Sequence, residues 1–240
     1  MSKEWKRPSN VPFPSVWLTF KAKDLETDNL VEYRVQDLPE EYYDKALKLM
    51  ELDFLRDEAM CSATELLKDP VSVKEIMELW RGVLDQKIVL ACFRENSKEL
   101  VGLNMVAVQL KDDKFDYGAT ITGKPWSAVY NGLMYVFKRV DPFEKYNVDK
   151  YLTALGLSVD TKYRGRGIAT EILKARVPLC KAMNIPLTTT VFTGDASQKC
   201  AIKAGFQFDA EVEYAELCRL GYDFSRAKPK SLKTMSLVIE

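Results

Sequence analysis

The sequence predicts a single mixed α/β domain. Strand-like and helix-like segments alternate along the 240 residues, 47% of the residues are hydrophobic, and no internal repeat or low-complexity linker divides the chain. A hydrophobic fraction of this size can fill a sizeable core, so we expect order over most of the length. Residues 1–29 are Pro-rich and polar and are expected to form an N-terminal arm, with residues 30–240 as the domain.

The first half of the chain predicts two strand regions and two helices. "LVEYRVQDL" (Leu30–Leu38) predicts a strand, and Pro39 opens the helical pattern "PEEYYDKALKLMELDFL". A second helix is predicted in "DPVSVKEIMELWRGVLDQ", with Ser72 as its N-cap and Glu75 completing a capping box. "IVLACF" and "LVGLNMVAVQL" flank "RENSKE" and predict a hairpin.

The second half alternates helices with strands. A helix is predicted from Pro125 in "PWSAVYNGLMYVFKRV", and a strand over Tyr151–Val159. A helical pattern follows, which Pro178 must kink or end because proline lacks a backbone donor. A short helix, "DASQKCAIKAG", closes at Gly205. The remaining strand predictions are "PLTTTVF", "FQFDAEVEY" and "SLKTMSLVI".

Charge and cysteine content narrow the class of protein. Lys+Arg and Asp+Glu both total 35, so no basic excess favours a nucleic-acid partner. The five cysteines form no C-x-x-C pair, which is typical of free thiols in a reducing cytosol. No apolar run is long enough to span a membrane, and the first residues lack the apolar core of a signal peptide. We therefore expect a cytoplasmic protein without a membrane or nucleic-acid partner.

The chain contains no histidine. This excludes Ser-His-Asp and Cys-His catalysis, H-E-x-x-H zinc sites and the commonest general base. Any chemistry must use carboxylates, Tyr, Lys, Ser, Cys or the backbone, and no metal site is predicted.

"VDTKYRGRGIATEIL" (Val159–Leu173) is the strongest candidate for a ligand-binding loop. Gly165 and Gly167 allow a sharp turn with the backbone close to a ligand, and the helix after them presents free amides and a positive dipole end. Arg164 and Arg166 add charge complementary to phosphate. The alternative is an ordinary glycine turn with solvated arginines, which the preceding strand and following helix disfavour.

Two other nucleotide motifs fail. The dinucleotide fingerprint G-x-G-x-x-G has Thr170 in place of its third glycine, and no acidic residue follows at the required spacing. "GATITGKP" (Gly118–Pro125) matches the phosphate-loop pattern G-x-x-x-x-G-K-[ST] at every position but the last. There Pro125 can neither ligate magnesium nor donate an amide.

R-G-x-G-x-A after the strand end "LSV" resembles motif A of the GCN5-related N-acetyltransferase (GNAT) superfamily, and the order of elements is similar over about residues 30–215. The resemblance is closer to insect arylalkylamine N-acetyltransferases, through "DEAM" (Asp57–Met60) and "TGDASQKCAIKAGF" (Thr193–Phe206), with Ser197 at the matching serine. It implies a mixed, largely antiparallel twisted sheet of about six to seven strands with helices on both faces.

The resemblance also implies acetyl-CoA as co-substrate. The pyrophosphate of CoA would bind the amides of the loop, and the pantetheine arm would pair with the strand end as an added strand does. A backbone N–H near Leu157 would stabilise the oxyanion of the attacked thioester. The implied cofactor-binding residues are Leu157, Ser158, Val159, Arg164, Gly165, Arg166, Gly167, Ile168, Ala169 and Thr170.

For catalysis, the resemblance implies Glu58 as general base and Ser197 as the donor of a proton to the departing thiolate. Without the resemblance, Glu58 would be interpreted as a solvated helix-end residue and Ser197 as a polar residue of a helix first turn. This chain departs from the family pattern in three places. Ala59 replaces a proline, Thr193 replaces a serine, and Ala201 stands where many superfamily members have a tyrosine that acts as the general acid. Cys200 is expected in the core, because no base is available to form its thiolate.

The sequence therefore predicts an enzyme that transfers acetyl from acetyl-CoA to a small primary amine, directly and in a ternary complex. By resemblance alone the favoured amines are dopamine, tyramine, octopamine and serotonin. The alternatives are aliphatic amines or polyamines, a peptide amino terminus, and a non-catalytic acyl-CoA-binding module. A monomer or weak dimer is expected, and aromatic residues at helical spacing, among them Trp126 and Tyr130, either line an amine pocket or belong to the core.

Overall fold

A computed structural model describes residues 5–27, 29–113 and 117–240 of the chain. Within these residues, eight strands form one sheet in the order β1-β2-β3-β4-β5-β6-β8-β7. The strands are β1 (Val16–Lys23), β2 (Leu30–Asp37), β3 (Leu90–Arg94), β4 (Leu100–Leu110), β5 (Lys150–Val159), β6 (Leu187–Phe192), β7 (Gln207–Glu213) and β8 (Ser231–Val238).

Helices cover both faces of this sheet. The α-helices of the described residues are α1 (Tyr43–Leu49), α2 (Leu55–Asp57), α3 (Ala59–Ala63), α4 (Pro70–Leu84), α5 (Lys124–Phe137), α6 (Pro142–Tyr146), α7 (Ile168–Lys174), α8 (Arg176–Ala182), α9 (Asp195–Lys203) and α10 (Tyr214–Arg219). One buried cluster joins the sheet to α1–α5 and α10, and a second joins it to α7 and α8. No helix of the described residues is long and apolar enough to cross a membrane.

The predicted fold class is confirmed, with one strand more than expected. The additional strand, β1, lies in residues 1–29, which the sequence predicted to be an arm. β1 pairs antiparallel with β2, and Arg7 ties the segment before it to the sheet through Asp37, with Nη2 2.7 Å from Oδ2. The prolines that precede this strand in the sequence led to the prediction of an arm. Residues 1–4 and 28 of the predicted arm lie outside the described residues.

Two local predictions differ from the structure. The cap of α4 is Asp69 and not Ser72, because Pro70 already occupies the first helical position and the Asp69 carboxylate accepts the Ser72 amide at 3.1 Å. The first predicted helix is interrupted after α1 by a wider π-helical turn over Met50–Phe54. The break expected near Pro178 is found, since α7 ends at Lys174 and α8 begins at Arg176.

The π-helical turn packs directly on β5. A Cβ on Gly156 would lie 2.4 Å from the methyl carbon of Met50 and 3.2 Å from the ring of Phe54. Gly156 also has a φ of +145°, which residues with a side chain rarely adopt. Glycine at this position therefore lets α1 and its π turn approach the strand that leads into the candidate loop.

The sheet divides at β5 and β6, which form the one parallel pair among the strands that the structure describes. β5 and β6 are neighbours, yet among the described residues their register consists of Leu152 opposite Thr188. Beyond that point β5 continues for seven residues to Val159, paired on its other side with β4. The two strands consequently form a fork that opens toward the end of β5.

Candidate acetyl-CoA and catalytic site

The loop between β5 and α7 presents a row of unused backbone donors. Gly165 and Gly167 have φ angles of +79° and +81°, in the left-handed region that favours glycine. Within the described residues, the amides from Gly165 to Ala169 have no acceptor in the protein, whereas the Thr170 amide donates to the Gly167 carbonyl at 3.0 Å. Successive free amides at the start of a helix form a concave site suited to an anion.

Both arginines of the loop bond to the protein itself. Arg164 donates from Nε to the Val159 carbonyl at 2.9 Å and pairs from Nη1 with Oδ2 of Asp57 at 2.7 Å. Arg166 donates from Nη1 to the Lys162 carbonyl at 2.8 Å and from Nε to the Asp24 carbonyl at 3.3 Å. These bonds hold the loop in shape, which leaves the direct contacts with an anion mainly to the amides.

The predicted pantetheine-binding residues lie on the open side of the fork. Leu157, Ser158 and Val159 pair with β4 on one side, while β6 has already diverged on the other. The Ser158 hydroxyl is buried and has no partner among the described residues. A strand edge without its neighbour has free donors and acceptors for a ligand that lies along it.

The structure brings Glu58 next to this loop. Glu58 is the N-cap of α3, and its Oε2 accepts the Cys61 amide at 2.7 Å. The residue before it, Asp57, forms the ion pair with Arg164. Arg56 and, after it, Arg164 lower the pKa of Asp57 to about 2, so this carboxylate stays charged. The base candidate and the loop are therefore joined through neighbouring residues.

Glu58 also contacts the end of β6, 135 residues further along the chain. The Thr193 hydroxyl donates to Oε1 of Glu58 at 2.5 Å, and the Tyr214 hydroxyl donates to the Thr193 carbonyl at 2.8 Å. Burial, together with the charge of Glu58, raises the pKa of Tyr214 far above its usual value, and the same two causes raise that of Cys61. Tyr214 and Cys61 are thus neutral hydroxyl and thiol groups beside a carboxylate.

Ser197 is close to this cluster but is bonded within its own helix. Its hydroxyl donates to the Gly194 carbonyl at 2.8 Å and accepts the Gly194 amide at 3.3 Å, across the first turn of α9. Thr193, and not Ser197, makes the hydroxyl contact with Glu58. Cys200 lies on the same helix and is partly buried against a small apolar cluster, as expected from the sequence.

The second glycine segment, Gly118–Pro125, has two of its amides bound to a carboxylate of the protein. Glu75 of α4 accepts the Thr122 amide at 2.8 Å and the Gly123 amide at 3.0 Å, and its Oε1 also accepts the Thr122 hydroxyl at 2.6 Å. The start of α5 therefore holds a carboxylate of the protein where a phosphate loop would hold a nucleotide. Trp126 is buried in the core, and Tyr130, Tyr135 and Phe137 pack against the same cluster.

Sequence reasoning missed several polar residues of this region. Tyr214 follows a strand without any motif, and Thr193 was noted only as a departure from a serine. Asn104 of β4 and Arg176 of α8 are both buried and bond to each other, with Nε 2.9 Å from Oδ1. A polar residue within an otherwise apolar strand, as in "LVGLNMVAVQL", is the signal that could have pointed to Asn104. The described residues contain no group of three metal-ligating side chains.

Comparison with solved structures places this fold among the N-acetyltransferases. A protein of the yellow fever mosquito Aedes aegypti, provisionally assigned as insect arylalkylamine N-acetyltransferase 7, superposes with a TM-score of 0.95 and 46% identity over 99% of this chain and 100% of its own. Arylalkylamine N-acetyltransferase 2 of Aedes aegypti gives a TM-score of 0.76 at 20% identity, over 87% of this chain and 99% of its own. Arabidopsis thaliana NAA60, in complex with acetyl-CoA, gives 0.53 at 12% identity, over 86% and 99%.

These similarities define the class first: the protein is an acyltransferase with the GNAT fold. Identity of 46% along the whole chain then shows the family, and the chain belongs to the insect arylalkylamine N-acetyltransferases. No protein-family model and no curated protein matches the chain.

Proposed function

We propose that this enzyme transfers the acetyl group of acetyl-CoA to the primary amine of an arylalkylamine such as dopamine, tyramine, octopamine or serotonin. The observation that carries the proposal is the 2.7 Å ion pair between Arg164 and Asp57, which connects the loop of free amides to the residue beside Glu58. The acetyl-CoA complex of a protein that shares the fold supports the choice of co-substrate.

The residues proposed to bind acetyl-CoA are those from Leu157 to Val159 and from Arg164 to Thr170. The free amides from Gly165 to Ala169 suit the doubly charged pyrophosphate, since together they supply five donors and the positive end of α7. The open edge of β5 suits the amide groups of the pantetheine arm.

Glu58 is the proposed general base. An alkylamine has a pKa near ~10 and is mostly protonated at neutral pH, so it must lose a proton before it can attack. Glu58 accepts that proton, the amine nitrogen bonds to the thioester carbonyl carbon, and the Leu157 amide stabilises the oxyanion that forms. The carbon–sulfur bond then breaks, and the thiolate takes a proton.

Ser197 is the proposed donor of that last proton. In this structure its hydroxyl hydrogen bonds the Gly194 carbonyl at 2.8 Å, so the hydroxyl must turn away from the carbonyl in order to serve the sulfur. The acid step therefore requires breaking a hydrogen bond that the hydroxyl donates, whereas each Glu58 oxygen accepts one hydrogen bond, from Thr193 or from the Cys61 amide, and has a further lone pair for a proton.

Release of free CoA thiol from acetyl-CoA, measured against a panel of amines, tests the proposal. We expect wild-type turnover with arylalkylamines to exceed that with aliphatic diamines and a peptide amino terminus. Glu58→Gln keeps the size of the side chain and one acceptor oxygen, for the Thr193 hydroxyl or for the Cys61 amide, but it cannot take up a proton, and it should lower kcat at neutral pH by about 10²–10⁴-fold. Part of this loss should be recovered at alkaline pH, where the amine is already uncharged, and the dissociation constant for CoA should not change.

Glu65→Gln is the matched control, because Glu65 is a nearby carboxylate that pairs with Lys68 and Arg226 on the surface. It should leave the pH–rate profile unchanged. If Glu58→Gln also leaves the profile unchanged, Glu58 is not the base. If the wild type binds CoA but acetylates no amine, the protein is an acyl-CoA-binding module and the proposed activity is wrong.

A further inference from the structure

A chain of buried polar groups runs beneath the fork between β5 and β6. Arg176 of α8 is fully buried and donates from Nε to Oδ1 of Asn104 at 2.9 Å. Asn104 of β4, also fully buried, donates from Nδ2 to the carbonyl oxygen of Gly156 in β5 at 2.7 Å. A charged donor, an amide side chain and a backbone carbonyl are thus linked one after another by hydrogen bonds.

The last group in this series of hydrogen bonds is the Gly156 carbonyl. It belongs to the same peptide group as the Leu157 N–H. The peptide between Gly156 and Leu157 is trans and planar, so its N–H points opposite to its C=O. Because Asn104 bonds the Gly156 carbonyl, the Leu157 N–H is directed away from Nδ2 of Asn104. The orientation of this N–H is therefore set by a side chain on the neighbouring strand.

Arg176 supplies a positive charge at the far end. Its Nη1 bonds the hydroxyls of Thr188 and Thr190 on β6, at 3.2 and 2.9 Å, and its Nη2 has no partner among the described residues. No carboxylate bonds this guanidinium within the described part of the chain. Burial lowers the pKa of Arg176 to about 10, so the group still carries its charge at neutral pH.

A buried cation without an anion is expensive, and a purely structural position would be filled more stably by an apolar side chain. In a hydrogen-bonded chain, however, a charge at one end polarises each group in turn. Here the polarisation runs from Arg176 through Asn104 to the Gly156 carbonyl, and it makes the Leu157 N–H a stronger donor.

We propose that Asn104, held by Arg176, is a positioning residue for acetyl transfer: it fixes and polarises the Gly156–Leu157 peptide so that the Leu157 N–H meets the thioester oxygen. This inference rests on the proposed function. Neither Asn104 nor Arg176 touches the reacting atoms. Their effect falls on the transition state, where the negative charge on that oxygen is greatest.

Asn104→Asp separates this role from folding. The aspartate keeps an oxygen for Arg176 and neutralises its charge, but it has no N–H for the Gly156 carbonyl, which it repels. Complete loss of one oxyanion donor costs about 10²–10³-fold in kcat, so a misdirected donor should cost about 10- to 100-fold. The KM for acetyl-CoA should change less than about 3-fold. Infrared spectra of bound acetyl-CoA with a ¹³C-labelled carbonyl should show the stretch shifted toward its value in free solution.

Thr189→Val is the matched control. Thr189 is buried in β6, and its Oγ1 accepts from Ser236 at 2.8 Å. Its contact with the polar chain is through its backbone carbonyl, which accepts the Thr190 hydroxyl and which the substitution keeps. This variant should lower the melting temperature by a few degrees while kcat and the carbonyl stretch stay unchanged.

Full kcat and an unchanged carbonyl stretch in Asn104→Asp would overturn the inference, as would an equal loss of kcat in Thr189→Val. If the wild-type enzyme is active, neither of these results contradicts the proposed function. Absence of acetyl transfer by the wild type contradicts the proposed function itself.

Discussion

The starts of α5 and α7 are similar in sequence and opposite in what they offer. Each lies next to two glycines and at least one basic residue: α5 begins at the lysine of "GATITGK", and α7 follows "RGRG". At α5, the carboxylate of Glu75 accepts the amides of Thr122 and Gly123. At α7, the five amides from Gly165 to Ala169 have no acceptor among the described residues.

The difference teaches that glycines and basic residues do not by themselves define an anion site. What distinguishes the two helix starts is whether the protein already supplies the negative charge. Glu75 lies more than 40 residues before the amides that it binds, so no local motif shows that they are occupied. A helix start becomes a ligand site when no side chain of the protein has been placed there.

The largest effect is expected when the loop of free amides before α7 is blocked. Gly167→Val puts a branched side chain on a residue with a φ of +81°, in the space where an anion would approach. No atom lies within 4 Å of the added Cβ, so the substitution strains the backbone and blocks the ligand without a collision inside the protein. We expect CoA affinity, measured by calorimetry, to fall more than about 100-fold.

Gly221→Val provides the control for backbone strain. Gly221 has a φ of +94° and equally open space around its Cβ, but it lies in the segment after α10. It should lose stability comparable to that of Gly167→Val and retain its affinity for CoA. Equal loss of affinity in both variants would mean that strain, and not the loop, is responsible.

A smaller effect is expected when the occupied site is emptied. Glu75→Ala leaves two amides without their carboxylate and should lower the free energy of unfolding by roughly 1–3 kcal/mol, with CoA affinity unchanged. Glu78→Ala, on the same helix with a loose and exposed ion pair, should stay within about 0.5 kcal/mol of the wild type. Urea titration measures both variants, and weaker CoA binding by Glu75→Ala would break the comparison.

The contribution of Glu75 should also depend on pH. Desolvation alone would raise its pKa, but the bonds from Thr122 and Gly123 outweigh it and lower the pKa. A carboxyl with a lower pKa in the folded state stabilises the protein above its unfolded pKa of about 4.3 and loses this contribution as the pH falls below that value. The difference between wild type and Glu75→Ala should therefore shrink in acid.

The smallest effect is expected at the ion pair that joins the loop of free amides to the segment of Glu58, the proposed base. Asp57 and Arg164 are partly exposed, so Asp57→Asn should lower the free energy of unfolding by less than about 1 kcal/mol at neutral pH. Because Arg56 and Arg164 hold the pKa of Asp57 at about 2, the difference should persist down to about pH 4 and vanish as the pH falls toward 2. A difference that disappears between pH 7 and pH 5 would contradict this assignment.

Sequence reasoning predicted the local structure correctly where the elements are contiguous. The loop from Arg164 to Thr170 needs only a strand, two glycines and a helix in succession, and each was visible in the sequence. It failed for β1, because the prolines before that strand suggested an arm, and for the cap of α4, where Ser72 was preferred to Asp69. The preference of proline for the first helical position, applied to Pro70, selects Asp69 as the cap.

The cluster around Glu58 depends on contacts that no local pattern encodes. Thr193 is 135 residues from Glu58, and Tyr214 reaches Thr193 from the end of another strand. Asn104 and Arg176 are 72 residues apart, and they meet because α8 packs on the sheet that contains β4. These polar partners can be found once the sheet order is known.

The fork in the sheet also separates two sets of strands that can form at different stages of folding. The strands from β1 to β5 are neighbours in both sequence and space, so each can join its predecessor soon after it is synthesised. β6, β8 and β7 form a second set in which the last strand enters between the other two, and this set must wait for the carboxyl end of the chain. Since loop closure is slower over longer separations, we expect the first set to form early and the junction at Leu152 and Thr188 to form last. The place where the two sets meet incompletely is the place where the proposed catalytic groups gather.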